Sequence, residues 1–509
     1  MPVGLVLAGL ATADLVIKYG KELVRLCSSF RNAGREIQER IIIIESTWLK
    51  AQYQIEFLTK IWKTLDVTHQ EQQSQILDIL ETKLKAAIVQ VQRVQRRHAG
   101  REDDIKRWKY ALVKDSIDNA IEGLEVWQKI FDPSWYLIMR MASRVIDEEL
   151  QEVADEPKVG TMSTALAFRR SLKSDRDTKV SVFLPKDGLV DALREPIPYS
   201  TAELMRRSPT SDKWYIVDSV PCLPDVSART LTEDVRDLAR KLSATDPMAF
   251  GLLQCRGVVR ILKPDQRTPA SFDFVFYEPG RLKAPRSLRD ILLFPDTDIS
   301  LSIRFSIAQT LAQSISYVHT CNFVHKGIRP ETILVFEDER SVLSGSFLVG
   351  FEKFRTVSGY TLRAGDCAWE KNLYRHPRRQ GLQPEDEYVM QHDIYSLGVC
   401  LLEVGLWQSL VLYGPAPSAS GLLQSFLNES EDNCREPGLL KDHLVDLAKR
   451  SLPCRMGDKY TDVVVNCLTC LDEDNMDFGD QTEFEDEDGI LVGVRYIEKV
   501  LVQLNNISI

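Results

Sequence analysis

Apolar positions in residues 1–150 recur at helical spacing. Ile37, Ile41, Ile44, Trp48, Ala51, Ile55, Leu58, Trp62 and Leu65 follow one another every three or four residues, which sets them on one side of a long helix. Leu77, Leu80, Leu84, Ala87, Val91 and Val94 make a second seam, and Val113, Ile117, Ala120, Leu124, Trp127 and Phe131 a third. Between the first two, Thr68-His69-Gln70-Glu71 has the spacing of a capping box, with Thr68 as the expected N-cap. Helices with such seams cannot bury them alone, so an antiparallel bundle is expected. Ahead of them, Pro2 to Ala13 is uncharged and largely apolar, broken by Asp14 and resumed by Leu15-Val16-Ile17. A spanning helix needs about 20 such residues. A secretory signal would carry basic residues before the apolar run, and none stands there.

Past residue 150 the pattern loosens. Residues 151–210 read as a connector and the start of a small lobe, with the proline-bearing Arg194-Glu195-Pro196-Ile197-Pro198. Strands are expected at Trp214–Asp218, Gly251–Leu262 and Ser271–Tyr277, and a helix from Thr230 to Ser243, before a turn at Glu278-Pro279-Gly280. Residues 281–509 are expected to be mainly helical, from a long pattern at Ser302–His319 to a last one at Val492–Leu504. The fold class is therefore multidomain and mainly α. A helical bundle (1–150) precedes an α+β, two-lobed region whose small lobe is 211–280 and whose large lobe is 281–509.

Composition narrows the functions. The 509 residues carry a net charge of −10. The segment 472–489 alone holds ten acidic and no basic residues, so the rest is balanced, 64 acidic against 64 basic. Such a segment reads as a disordered surface loop, and the balance argues against general nucleic-acid binding. The ten cysteines are scattered, which suits a reducing, cytoplasmic setting. Cys467-x-x-Cys470 has no further ligands at zinc spacing and reads as buried cysteines; no metal site is expected.

The chemistry-bearing stretch is His325-Lys326-Gly327-Ile328-Arg329-Pro330-Glu331-Thr332 followed by Ile333-Leu334-Val335-Phe336. It resembles the catalytic loop of the eukaryotic protein kinases, H-R-D-L-x-x-x-N. His325 takes the His place and Arg329 that of a Lys found in many kinases. Gly327 falls where the catalytic Asp should be, and Thr332 where the metal-binding Asn should be. Leu348-Val349-Gly350-Phe351-Glu352 resembles the strand end that carries Asp-Phe-Gly, with Phe351 kept and Gly350 in place of the Asp. Asp393-Ile394-Tyr395-Ser396-Leu397-Gly398 resembles the helix opening D-x-x-S-x-G, which implies that Asp393 bonds near His325 and that Gly398 is structural. Tyr374-Arg375-His376-Pro377 stands at A-P-E, with the Pro kept. Asp218 or Ser219 takes the place of the nucleotide-pairing Lys, and Glu233 or Asp237 that of its helical Glu partner; no G-x-G-x-x-G occurs. Phosphoryl transfer needs a carboxylate base and oxygen ligands for magnesium. With these absent together, the resemblance implies a pseudokinase with no catalytic residues and no cofactor. An enzyme reading would need an unorthodox metal site from Glu331, Glu352 and Asp366.

A second resemblance covers residues 1–150. Pro2-Val3-Gly4-Leu5-Val6-Leu7-Ala8-Gly9-Leu10 and above all Phe131-Asp132-Pro133-Ser134-Trp135-Tyr136-Leu137-Ile138-Met139-Arg140 resemble the HeLo domain of fungal prion-inhibition and incompatibility proteins. The family implies a bundle that oligomerises, exposes its amino-terminal segment and damages the plasma membrane. Gly4 with Ala8, and Gly9 with Ala13, have the small-residue spacing that allows close helix approach in lipid, although Asp14 is expensive inside a bilayer. Arg96, Arg97 and Arg101 lie in a cluster of eight basic residues between Arg93 and Lys114. That cluster fits either an anionic leaflet, at about 1 kcal/mol per charge, or an ordinary solvated helix end.

Bundle plus silent kinase-like unit is similar in architecture to the mixed-lineage kinase domain-like proteins of necroptosis. The resemblance implies a switch: the kinase-like unit masks the bundle until an upstream signalling protein or kinase releases it. Thr356, Ser358, Tyr360 and Thr361 are the expected control positions, where added phosphate would repack the loop. The alternatives are a signalling scaffold without membrane action and an atypical kinase.

Overall fold

The computed structural model describes residues 3–96, 106–141, 143–154, 160–172, 181–185, 192–208, 213–222, 227–263, 268–295, 299–351, 354–356, 368–381, 384, 386–424, 437–478 and 490–507. The chain divides into two compact units, Met1–Ala167 and Phe168–Ile509.

The first unit is a helical bundle of α1 (Val3–Ser28), α2 (Arg35–Ile61), α3 (Val67–Arg96) and α4 (Lys106–Ile138), followed by α5 (Arg144–Ala154); α6 (Gly160–Leu172) runs across the boundary. α1 and α4 each pack on both α2 and α3. The α2 seam is buried throughout, from Ile37 to Leu58, with Trp62 and Leu65 beyond the helix end. Removing each such side chain from water is worth about 1.5–3 kcal/mol. On α1 the buried face is Gly9, Ala13, Val16, Gly20 and Leu23. A Cβ on Gly9 would come within 2.1 Å of Trp62, and one on Gly20 within 2.0 Å of Trp48. The two glycines are seats for indole rings, so Gly9 and Ala13 serve packing inside this bundle, while Ala8 and Leu7 are exposed.

The start of α3 corrects the expected cap. Asp66, not Thr68, accepts the His69 amide at 2.9 Å and also holds the His69 ring at 2.7 Å. Capping needs an acceptor three residues ahead of a free helix N–H, and Asp66 stands at that distance from His69.

The stretch Phe131–Met139 at the end of α4 is buried along its whole length. Asp132 accepts from Lys50 at 2.8 Å and Gln54 at 3.2 Å on α2, and Ser134 bonds Gln72 and Gln73 on α3. Trp127 and Phe131 stack at 4.6 Å, and Trp135 meets Phe57 edge-on at 5.1 Å. One motif therefore clamps three helices.

The second unit opens with a six-stranded sheet, ordered β1-β5-β6-β4-β3-β2. Its strands are β1 (Phe183–Leu184), β2 (Leu193–Pro196), β3 (Glu203–Arg206), β4 (Tyr215–Pro221), β5 (Cys255–Leu262) and β6 (Pro269–Tyr277). All pairings are antiparallel except β1 with β5. Between β4 and β5 run α7 (Ala228–Ser243), capped by Ser227, and the short α8 (Pro247–Phe250). Then come β7 (Lys283–Ser287), α9 (Leu288–Leu293), α10 (Leu301–Thr320), β8 (Phe323–Val324), β9 (Ile333–Glu337), β10 (Leu343–Leu348) and β11 (Arg355–Thr356). After α11 (Trp369–Asn372), α12 (Met390–Leu406) is buried at every residue. A Cβ on its Gly398 would meet Cys467 at 2.9 Å, so this glycine sets the close approach of helix Asp458–Leu468.

The first part of the acidic segment is a loop, as expected, but it departs from the disorder expected of it. Asp472 holds Lys441 at 2.5 Å, Asp477 holds Lys499 at 2.7 Å, and Phe478 is buried. Asn475 accepts the amides of Asp477 and Phe478. Residues 472–478 are thus pinned by specific bonds that composition does not reveal; 479–489 lie outside the described residues.

Candidate functional site

Three segments meet around His325: the loop between β8 and β9, the turn after β10, and the middle of β4. Asp393, near the start of α12, organises the loop. Its carboxylate accepts the amides of His325 at 2.8 Å and Lys326 at 3.0 Å, the Tyr388 hydroxyl at 2.6 Å, and bonds His319 at 3.1 Å. Burial works to raise this carboxyl, and its partners, led by His319, outweigh burial and bring it below the usual range. Lys326 takes a left-handed φ of 63°, which the two flanking bonds to Asp393 hold in place.

His325 is fully buried, and burial pushes its imidazole down to about 4. It is therefore neutral at pH 7. Gly327 N donates to its Nδ1 at 3.3 Å, so Nε2 carries the proton and donates to the Val349 carbonyl at 2.9 Å. The Phe351 ring packs on it at 4.7 Å.

The two expected metal-ligand positions close on each other. Gly350 has φ 81°, and a Cβ there would lie 2.3 Å from Thr332 Cγ2. Thr332 turns its hydroxyl back into the loop, donating to the carbonyls of Gly327 and Arg329, each at 2.9 Å, and its own carbonyl accepts Val349 N at 2.8 Å. Gly327 is different: a Cβ there would make only ordinary contacts, the nearest at 3.5 Å. Arg329 lies 3.7 Å from Glu331.

Asp218 supplies the interaction that the pattern of losses did not disclose. It is fully buried on β4, and its Oδ2 accepts the amides of Gly350 at 2.8 Å and Phe351 at 3.1 Å, with Thr201 on its other oxygen at 3.3 Å. Asp218, which with Ser219 is one of the two residues expected at the place of the nucleotide-pairing Lys, is committed to the backbone of the opposite segment. Neither helical candidate on α7 reaches it: Glu233 pairs with Arg229 at 3.2 Å and Asp237 with Lys241 at 2.9 Å. Lys241 in turn donates to the Cys321 carbonyl at 2.7 Å, fastening α7 just ahead of β8.

Glu331 belongs to a separate buried network. Arg289 on α9, fully buried, reaches Glu331 at 3.0 Å and Glu403 on α12 at 2.9 Å; Tyr413 donates to Glu331 at 2.6 Å and Tyr374 to Glu403 at 2.8 Å. Burial would raise the Glu331 carboxyl, but Arg289, Arg329 and Tyr413 bring it below the usual range. Its charge is thus spent on structure, and no cluster of metal ligands stands among the described residues. Glu352 and Asp366, the other members of the unorthodox site, lie outside the described residues. Arg289 left no mark in the sequence pattern; Glu403, a charge inside the apolar run of α12, did.

Of the expected control positions, Thr356 ends β11, while Ser358, Tyr360 and Thr361 lie outside the described residues. Gly4 lies in α1 and Arg96 ends α3; Arg97 and Arg101 lie outside the described residues. Cys467 and Cys470 are buried, and burial pushes both thiols up, away from metal binding. Among the described residues no helix is long and apolar enough to cross a membrane. A cavity of about 460 Å³, lined by His376, Arg378, Lys441 and Asp472 among others, contains no member of the His325 cluster.

The arrangement is that of a mixed α+β unit consistent with kinase-like lobes, which follows a helical bundle in the chain. Comparison with known proteins finds a distant and partial similarity to serine/threonine protein kinases over about a fifth of the chain. The Raf homolog serine/threonine-protein kinase of Caenorhabditis elegans is 23% identical over 113 residues, 22% of this chain and 13% of that protein. Eukaryotic translation initiation factor 2-alpha kinase 1 is 28% identical over 114 residues in Mus musculus and 30% over 115 residues in Rattus norvegicus, each match covering 21% of this chain and 18% of the kinase. The chain thus spans less than a fifth of the length of these relatives. No family model matches the chain, so the HeLo resemblance rests on the residues alone.

Proposed function

We propose that the second unit is a kinase-like switch without phosphoryl-transfer chemistry, and that it controls the helical bundle. The observation that carries this reading is the bond from Asp218 to the amides of Gly350 and Phe351. A buried carboxylate at that point repels the phosphates a kinase must hold, and Thr332 packed against Gly350 leaves the magnesium ligands no room. The unit keeps what positions the loop, namely Asp393, neutral His325 and Phe351, and lacks what reacts. Such a unit acts by changing shape or partners, with phosphate on Thr356, Ser358, Tyr360 or Thr361 as the input from an upstream kinase.

The output belongs to the bundle. In this reading α1 leaves its seats against Trp48 and Trp62, copies of the bundle associate, and the freed apolar helix acts on the plasma membrane in regulated cell death or incompatibility. Leu7, Ala8 and Leu15 already face outward. A scaffold reading, in which the bundle only docks on partners, is favoured by the absence of a spanning helix among the described residues. Leakage of dye from anionic vesicles separates the two. Residues 1–167 should release dye, and neutralising Arg96, Arg97 and Arg101 should weaken release. Vesicles that stay intact at saturating protein would leave the scaffold.

A further inference from the structure

The outer edge of the sheet carries a contact that the switch reading does not use. β5 is eight residues long, and among the described residues its outer edge is paired only at Val258 and Val259, with Phe183 and Leu184. One further bond, Val258 N to the Val182 carbonyl at 2.9 Å, completes the junction. β5 is built to receive that strand. Gly257 has φ 154° and sits at a register shift in the β5–β6 ladder. A Cβ there would stand 2.7 Å from the Val182 carbonyl and 2.8 Å from Leu184. Only glycine leaves the notch into which the second backbone fits.

Recognition of the side chain is equally specific. Phe183 lies under two guanidinium groups, Arg260 at 4.7 Å and Arg236 of α7 at 5.7 Å, and packs on Phe272 at 6.3 Å. Each cation–π contact is worth about 0.5–1 kcal/mol at a half-exposed site. An aromatic in an extended segment is what this edge selects, the main chain giving affinity and the clamp giving specificity.

The connection that brings β1 to this edge in its own chain is not local. The other strands of the sheet pair antiparallel. β1 alone pairs parallel, with a strand reached only after β2, β3, β4 and α7. A parallel partner is never closed by a tight turn, so no local connection enforces this pairing. Among the described residues the rest of the β5 edge has no strand partner, and an open strand edge is a template for another chain.

We infer that the β5 edge is a strand-exchange surface, and that its partner is the segment Val182–Leu184 of a second copy of this chain. Everything the edge reads is contained in that short segment, so a second copy presents the same ligand with the same fit. Each copy also carries both halves, so two copies can exchange reciprocally and close as a twofold pair. This pairing involves neither the bundle nor the His325 cluster, and it stands whether or not the switch reading does.

The test uses the full chain with Leu184→Cys and Val259→Cys, residues that face each other in register. After incubation at low and at high protein concentration, the chain is oxidised and resolved under denaturing, non-reducing conditions. Exchange gives a covalent dimer that needs both cysteines, grows with concentration, and is lost when Gly257→Val or Phe183→Ser is added. A labelled peptide of residues 181–186 should bind the full chain, more strongly when Phe183→Ser weakens its own strand, and several-fold less when Gly257→Val closes the notch. Because Gly257→Val can harm folding, Phe183→Ser on the half-exposed strand serves as the second control. Cross-links confined to single chains at every concentration would overturn the inference, as would the absence of any cross-link. Peptide binding indifferent to Gly257→Val would do the same.

Discussion

Gly327 and Gly350 both stand where the kinase resemblance expects an acidic residue, yet they differ physically. Gly350 is held at φ 81° with Thr332 pressed into the space of its missing side chain, whereas Gly327 has room. Gly350→Ala should therefore cost about 1–3 kcal/mol and lower the melting temperature of the second unit, while Gly327→Ala should leave it nearly unchanged. Thermal denaturation followed by circular dichroism decides, and equal effects would contradict the interlock. Buried histidines give a second prediction. Burial pushes His325 down to about 4 and His376 and His392 down to about 3. The unfolded chain therefore takes up protons between pH 6.5 and those values while the folded chain does not, so stability present above pH 6.5 is lost as the pH falls toward 4. The slope is at most about 1.4 kcal/mol per pH unit per histidine. Calorimetry at pH 7.5, 6 and 5 should show a falling melting temperature; a flat profile would mean that these rings are not held neutral. The departures from the kinase pattern at Gly327, Thr332 and Gly350 are expectations that the sequence raises through the spacing of the resembling motifs. The Asp218 latch could not be read there, because it joins residues 132 apart and depends on which face of β4 the carboxylate takes.

Among the elements, the bundle helices were legible because a 3.6-residue period survives any tertiary arrangement. What that period cannot tell is which small residue seats which large one. Gly20 was not singled out in the sequence, and it seats Trp48 as Gly9 seats Trp62. Gly20→Val should displace α1 or the Trp48 ring, costing about 1–3 kcal/mol, and should raise the fluorescence change of the bundle on mild heating. If the variant melts like the parent, α1 does not pack there as described. The start of α3 was misplaced by two residues because Asp66 and Thr68 are both good caps, and only the path of the chain from Leu65 chooses. β1 went unseen for a different reason: two residues carry no periodicity, and only the notch at Gly257 and the clamp on Phe183 make them a strand.

The whole molecule joins a bundle clamped by a buried polar motif to a kinase-like unit in which the positions that the kinase resemblance marks as reactive are held by hydrogen bonds within the unit. Arg289, Glu331 and Glu403 tie α9, the central loop and α12 into one block, and Asp218 ties β4 to the segment after β10. The Asp218 bonds join the sheet directly to the segment after β10. Distant similarity to serine/threonine kinases fits that scaffold, and the chemistry must be tested on this chain. Titration calorimetry of the full chain with ATP, with and without magnesium, does so most directly. No heat of binding and no dependence on magnesium are expected, with binding no better than millimolar. Micromolar, magnesium-dependent binding to a site lost on Asp218→Lys or Gly350→Ala would contradict the proposal that this unit has given up its phosphate site.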